Sequence, residues 1–225
     1  MILIFTDGSS RGNPGPGGFG VIVRMGEKVK ELGGFDKHTT NNRMEMTAII
    51  EALQFVQASN EEITLYTDSK YTIDGITKWV SGWQKNGWKT KNKTEVLNKD
   101  LWEKLAPLAH GKNITWQHVA GHVGIPGNER VDIIANGFAG GEKIPLYDGL
   151  EKNYTINLSK LTPDTIKTKS DGGKAFSYMA LVDGTVHRFQ TWTECEKFVK
   201  GKFAKFRKAV SKDHEQEILK DWGVI

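Results

Sequence analysis

The stretch Ile2-Leu3-Ile4-Phe5-Thr6-Asp7-Gly8-Ser9 decides how the chain is read. A short apolar run that closes on a Gly turn predicts a strand buried on both faces, as in the middle of a sheet. Asp7 then stands where that strand leaves the core. A charge buried there is costly unless something pairs with it. The rest of the chain supplies Asp7 with no single dedicated cation. It supplies further carboxylates instead. Ile63-Thr64-Leu65-Tyr66-Thr67-Asp68-Ser69 repeats the pattern of apolar strand, Asp and polar turn.

Between the two Asp strands the order of elements is legible. Gly8 to Gly18 is a loop punctuated by Gly and Pro. It lacks the Gly-Lys-Ser/Thr ending of a phosphate loop and leads into a strand, Phe19–Val23, so a nucleotide-binding loop is excluded. Residues 28–36 read as a third strand, completing an antiparallel meander. Thr39-Thr40-Asn41-Asn42 then supplies helix-capping residues, with Met44, Ala48, Ile49, Ala52, Leu53 and Val56 at helical spacing behind them. Glu45 lies one turn into that helix. After Asp68 come a helix over 70–79, a tryptophan-rich basic segment, a helix over 96–109 and a fifth strand, Ile114–Val119. A Gly-rich loop with His122 leads into a helix over 128–139 that carries Glu129 and Asp132. The predicted fold is α/β, a mixed five-stranded sheet flanked by helices.

The 225 residues suffice for one large domain or two small ones. The single cysteine, Cys195, excludes an internal disulfide and a Cys-based zinc site. No run approaches the roughly 18 apolar residues of a membrane span, and no secretory signal pattern is visible. A cytoplasmic monomer with no membrane partner is expected. Residues 141–175 turn to Lys, Thr, Asp and Gly with weak periodicity and read as a linker. Residues 176–225 read as a small α+β domain: a hairpin around Asp183-Gly184, a helix over 192–200, a strand over 202–210 and a final helix with Ile218, Leu219 and Trp222 on one face.

Asp7, Glu45, Asp68 and Asp132 are the candidate catalytic residues. If the two Asp strands are neighbours, their ends lie about 5 Å apart. The helix starts bring the other two acids to the same edge. Four like charges in one place repel, and divalent metal relieves the conflict. An all-oxygen set suits Mg²⁺ or Mn²⁺. Two such ions about 4 Å apart activate a water and stabilise the leaving oxygen of a phosphodiester. For a lone acid the plainer reading is a helix cap or a surface ion pair, and Asp132 alone would not stand out.

Thr6-Asp7-Gly8-Ser9, Asn13-Pro14-Gly15, Thr40-Asn41-Asn42-Arg43-Met44-Glu45, Thr67-Asp68-Ser69, Gly121-His122 and Gly127-Asn128-Glu129-Arg130-Val131-Asp132 closely resemble type 1 ribonuclease H. The resemblance spans residues 1–140, in order. It implies the ribonuclease H fold and endonucleolytic hydrolysis of the RNA strand of RNA–DNA hybrids, leaving 5′-phosphate ends. Asp7, Glu45, Asp68 and Asp132 would hold two Mg²⁺ ions, and His122 would assist product release or proton transfer. Ser10, Asn13, Asn41, Asn42 and Glu45 would touch the RNA strand, where the 2′-hydroxyl is the distinguishing tag. Thr40 and Asn98 would form a DNA phosphate pocket and Trp79 would line the DNA channel. The basic segment 75–94 is free of Asp and Glu, as suits a grip on phosphates and sugars. Trp79 and Trp83, at i,i+4, also suit a shared buried face, and at least one is expected to be core. The alternative reading is a non-catalytic hybrid- or double-stranded-RNA-binding protein on the same fold.

Lys197 to Lys212 holds seven basic residues and no acid, with Phe198, Phe203 and Phe206 interleaved. Tyr178, the run Arg188 to Cys195, Val199-Lys200-Gly201 and Lys205-Phe206-Arg207-Lys208 resemble the hybrid-binding domain of eukaryotic type 1 ribonucleases H and viroplasmin. That domain usually precedes the nuclease, and here it follows; Ala209 stands where an aromatic is usual. The resemblance implies nucleic-acid contacts from Tyr178, Trp192, Phe206, Arg207 and Lys208, to a hybrid or to double-stranded RNA.

Overall fold

The protein is described here by a computed structural model covering residues 1–119, 124–161, 176–182, 184–199, 204–209 and 212–224. It divides into two compact units, Met1–Thr168 and Lys169–Ile225.

In the first unit β1 (Ile2–Ser10), β2 (Gly15–Met25) and β3 (Lys28–Thr39) form the expected antiparallel meander. The helix α1 (Asn41–Phe55) follows, with Thr40 as its cap. β4 (Ile63–Thr67) then lies parallel to β1, and β5 (Ile114–His118) parallel to β4. The register pairs Thr6 with Thr67, so Asp7 and Asp68 stand side by side just past the last paired residues of the two strands. Phe5 stacks on Tyr66 across the same pair at 4.9 Å between ring centroids. β1 itself runs on through Asp7 to Ser10, pairing Gly8 with Phe19, so the loop read from Gly8 to Gly18 shrinks to residues 11–14. Gly8 lets the strand end approach α1: a Cβ there would stand 2.1 Å from the backbone nitrogen of Glu45. The absent side chain is what brings Asp7 and Glu45 into one neighbourhood.

The helices differ from expectation in detail. The helix after Asp68 is α2 (Lys70–Asp74), a wide turn over Gly75–Trp79, and α3 (Val80–Lys85). At Gly75 a Cβ would meet the ring of the fully buried Trp102 at 2.1 Å, which fixes Gly at the crossing of this segment with α4 (Lys99–Ala109). α4 begins at Lys99 rather than at residue 96, because Asn98 takes a left-handed conformation, φ 59°. α5 (Pro126–Ala139) starts two residues earlier than read, on a proline suited to the first turn. Asp132 therefore lies nearly two turns in.

The sheet has six strands, in the order β5-β4-β1-β2-β3-β6, where the sequence predicted five. The sixth, β6 (Asp148–Leu150), comes from the stretch read as a linker and pairs antiparallel with Lys28–Lys30 of β3. Three residues including Gly149 carry no periodicity to read. Residues 141–161 pack on the first unit, with Leu158 buried beside Leu3, Phe5, Ile22 and Val131; residues 162–175 lie outside the described residues. The opposite sheet face is covered by α1 and α4 through Ile49, Leu53, Leu105 and Trp102. Full burial of each such side chain is worth about 1.5–3 kcal/mol.

The second unit is a three-stranded antiparallel sheet in the order β8-β7-β9: β7 (Ser177–Val182), β8 (Thr185–Phe189) and β9 (Ala204–Ala209). α6 (Trp192–Val199) and α7 (Lys212–Asp221) complete it. Met179, Ala209, Ile218 and Leu219 form its core. Among the described residues no helix is long and apolar enough to cross a membrane.

Candidate active site

Asp7, Gly8 and Ser9 at the end of β1, Asp68 after β4, Asn41 at the start of α1, and Asn128, Glu129, Asp132 and Asn136 on α5 line one cavity of ≈ 260 Å³. Parallel pairing of β1 and β4 sets the first two acids, and α5 lays the third against them. Glu45 stands at its margin, tied to the wall by Asn41, whose side-chain nitrogen donates to Oε1 at 2.7 Å. Ser69 donates from its hydroxyl to the other oxygen of Glu45. Asn136 donates to Asp132 at 2.7 Å and accepts from Ser9 Oγ at 2.6 Å. His118 places its ring nitrogen 3.1 Å from the backbone oxygen of Asp68, at the turn that carries this acid.

The electrostatics follow from that crowding. Burial, and then the charges of Asp68 and Asp132, push the Asp7 carboxyl up from 3.8 to about 8, although the Gly8 amide donates to it at 2.8 Å. Asp132, from α5, is the second like charge that faces Asp7. Glu45 is raised as well, by burial and by Asp68, with Ser69 and Asn41 opposing.

The donor set fits a hard divalent cation. Every group is an oxygen ligand, and Asn128 adds a buried side-chain oxygen that has no hydrogen-bond partner among the described residues. Among the described residues the acids do not already stand as a ready ligand cage.

The other predicted residues spread more widely. Asn41 reaches the cavity; Ser10, Asn13 and Asn42 do not line it. Thr40 and Asn98 are joined through Arg43, whose backbone amide donates to Thr40 at 3.4 Å and whose guanidinium reaches Asn98 at 3.4 Å. Arg43 also binds both oxygens of Asp100, at 2.9 and 2.7 Å. Trp79 is 38% exposed, whereas Trp83 packs against the core next to Trp102. His122 lies outside the described residues. In the second unit Trp192 lies between Tyr178 and Phe206, at 5.8 and 5.6 Å, and both Trp192 and Phe206 are exposed. Lys208 pairs with Tyr178 in the sheet register. Arg207 is held by Asp221 at 2.7 Å on the other face, so this cation is already engaged. Sequence reading missed Asn136, Asn128 and Ser69 as site residues. Asn136 carried a readable signal, an amide four residues after Asp132 on the same helix.

A family model described as RNase H matches residues 1–139. The chain belongs to the ribonuclease H family. The ribonuclease H of Novosphingobium aromaticivorans is 52% identical over 135 residues, spanning 60% of this chain and 94% of that protein. That of a Cyanothece species is 53% identical over 142 residues, 62% of this chain and 90% of its own. Among solved structures, LC9-RNase H1, a type 1 RNase H with the type 2 active-site motif, aligns with a TM-score of 0.58 at 32% identity. That alignment covers 67% of this chain and 78% of LC9-RNase H1. The foamy virus RNase H domain shares the fold at 23% identity, with a TM-score of 0.54 over 63% of this chain and 96% of its own. As a ribonuclease H the chain is a nuclease, and the carboxylate cavity lies inside the matched region.

Proposed function

We propose that this ribonuclease H cleaves the RNA strand of RNA–DNA hybrids internally, by two-metal hydrolysis, leaving 5′-phosphate and 3′-hydroxyl ends. The observation that carries the reading is the meeting of Asp7, Asp68 and Asp132 around one cavity, with Glu45 at its margin. Those four would hold two Mg²⁺ or Mn²⁺ ions. When bound, the ions supply an activated water and stabilisation of the leaving oxygen. The chain's own residues prepare the site. Ser69 and Asn41 each donate to one oxygen of Glu45 and fix its orientation, and Asn136 orients Asp132. Asn41 also offers the small polar contact that a 2′-hydroxyl needs. His122 assists proton transfer or product release.

The exposed Trp192 and Phe206, with Tyr178 and Lys208, serve as a second grip. Aromatic faces stack on bases or sugars while the ammonium meets phosphate. Tethering this unit to the nuclease raises its local concentration at a hybrid. Cleavage of a labelled hybrid with Mg²⁺, with chelator, and by Asp68→Asn tests the enzyme reading. Products in the first tube alone are expected. Products in all three would overturn it, and binding without cleavage in any tube would favour the non-catalytic alternative.

A further inference from the structure

One charged cluster of the first unit takes no part in the chemistry above. Glu31, on β3, has a side chain with 0% exposure. Its carboxylate accepts from Arg130 Nε and Nη2, both at 2.8 Å, from the Tyr147 amide at 2.9 Å and from the Tyr154 hydroxyl at 2.6 Å. Arg130 also donates to the Pro145 carbonyl at 2.8 Å. Tyr147 and Tyr154 pack together at 4.8 Å. The knot therefore joins three pieces: strand β3, helix α5, and the segment 142–156. That segment lies beyond the matched family region, which ends at residue 139. Its Ile144 also fits against α5 where Gly137 leaves room: a Cβ on Gly137 would stand 2.4 Å from it.

We propose that residues 142–156 act as a positioning brace for the cavity, fixing the rotation of α5 through Arg130 and thereby placing Asp132. The proposal rests on the reading of Asp132 as a functional acid. Arg130 and Asp132 are two positions apart, about 200° around the helix, so a grip on one flank presents the other to the cavity. On the cavity flank α5 is tied by Asn136, which itself lines the site, to Ser9. Its buried face packs on the sheet through Val131, Ile134 and Ala135, and the brace adds a polar anchor on the flank away from the cavity. A roll of α5 by about 10° moves a group ~6 Å from the axis by roughly 1 Å. A displacement of that size at a reacting centre costs on the order of a hundredfold in rate. A bidentate guanidinium on a fully buried carboxylate with two further donors is stiff enough to prevent it.

The test uses the full chain and four proteins: wild type, Glu31→Gln, Tyr154→Phe and Glu61→Gln. Glu61 pairs with the N-terminal amine of Met1, outside both the brace and the cavity. Hybrid cleavage is measured against Mg²⁺ concentration at a temperature where melting curves show every protein folded. Amide hydrogen exchange compares α5 with α1 in the absence of metal. For Glu31→Gln we expect a kcat about ten- to a hundredfold lower, more Mg²⁺ at half-maximal rate, an unchanged KM for hybrid, and faster exchange in α5 than in α1. Tyr154→Phe should show the same pattern more weakly, and stands in if Glu31→Gln does not fold. Glu61→Gln should match wild type. Unchanged kcat, Mg²⁺ dependence and α5 exchange in a folded brace variant would overturn the proposal. So would an equal fall in Glu61→Gln. A wild type that does not cleave would sink the enzyme reading alone, because the exchange comparison still decides whether the brace holds α5.

Discussion

The two units each bury carboxylates, and they treat them differently. Glu215 of the second unit pairs with Arg188 at 3.1 Å and accepts from the Ser177 hydroxyl, and Glu31 of the first is held the same way by Arg130 and Tyr154. Asp7, 7% exposed, is different: the charges facing it are Asp68 and Asp132. A buried acid with its own cation stabilises and specifies the fold. A buried acid among acids is a site waiting for charge from outside. The reverse holds at the surface. The second unit leaves Trp192 40% and Phe206 48% exposed in contact with one another, while the first buries Trp102 fully and exposes Trp79 alone of the ring cluster around it.

The strongest way to break that contrast is at the acids. Asp7→Asn and Asp68→Asn should each lower the cleavage rate by about three orders of magnitude, the scale for removing a group that stabilises transition-state charge. Single-turnover cleavage with Mg²⁺ measures this. At the other unit, the Trp192→Ala, Phe206→Ala pair should raise the KM for hybrid about tenfold or more and leave single-turnover kcat near wild type, since each stacked base is worth about 1–3 kcal/mol. A fall in kcat with unchanged KM would mean that the aromatic cluster does not grip substrate.

Removing metal sharpens the comparison through pH. In the folded protein Asp7 titrates at about 8, against 3.8 ordinarily. Between those values the folded state keeps a proton that the unfolded chain releases, so this group lowers stability progressively as pH rises through that window. In chelator, the melting temperature of Asp7→Asn should therefore gain on that of wild type from about pH 4 to about pH 8, and added Mg²⁺ should restore wild type only. A constant difference across that range would contradict the assignment. The smallest effect belongs to Arg207→Ala. Arg207 and Asp221 form an exposed pair, worth about 0–1 kcal/mol, and melting temperature and hybrid affinity should both change little.

Much of this was legible in the residues, for physical reasons. Asp7 and Asp68 could be found because each follows an apolar run, where a charge has no routine purpose, although β1 carries on past Asp7 to Ser10. The basic segment and the aromatic run 189–206 were legible by composition, but which rings are outside was not. Trp79 and Trp83 have the same spacing signal, and only packing against Trp102 decides that Trp83 goes in. The sixth strand escaped notice because three residues carry no period, and because its hold on β3 is made by backbone hydrogen bonds and the Lys30 pair rather than by a hydrophobic stripe.

Local pattern by itself determined the order of the first five strands and the helices between them, the two apolar runs that lead into Asp7 and Asp68, and the kind of chemistry that oxygen ligands in number imply. Those properties reside in short windows, where period, capping and turn residues act on neighbours along the chain. Tertiary structure alone decided that β4 lies beside β1 in the register that joins Thr6 to Thr67, that Arg130 serves Glu31 while Asp132 two residues on serves the cavity, and that 142–156 belong to the catalytic unit. Each of these depends on a partner from tens to more than a hundred positions away, chosen by burial and charge in three dimensions, which no window of sequence contains.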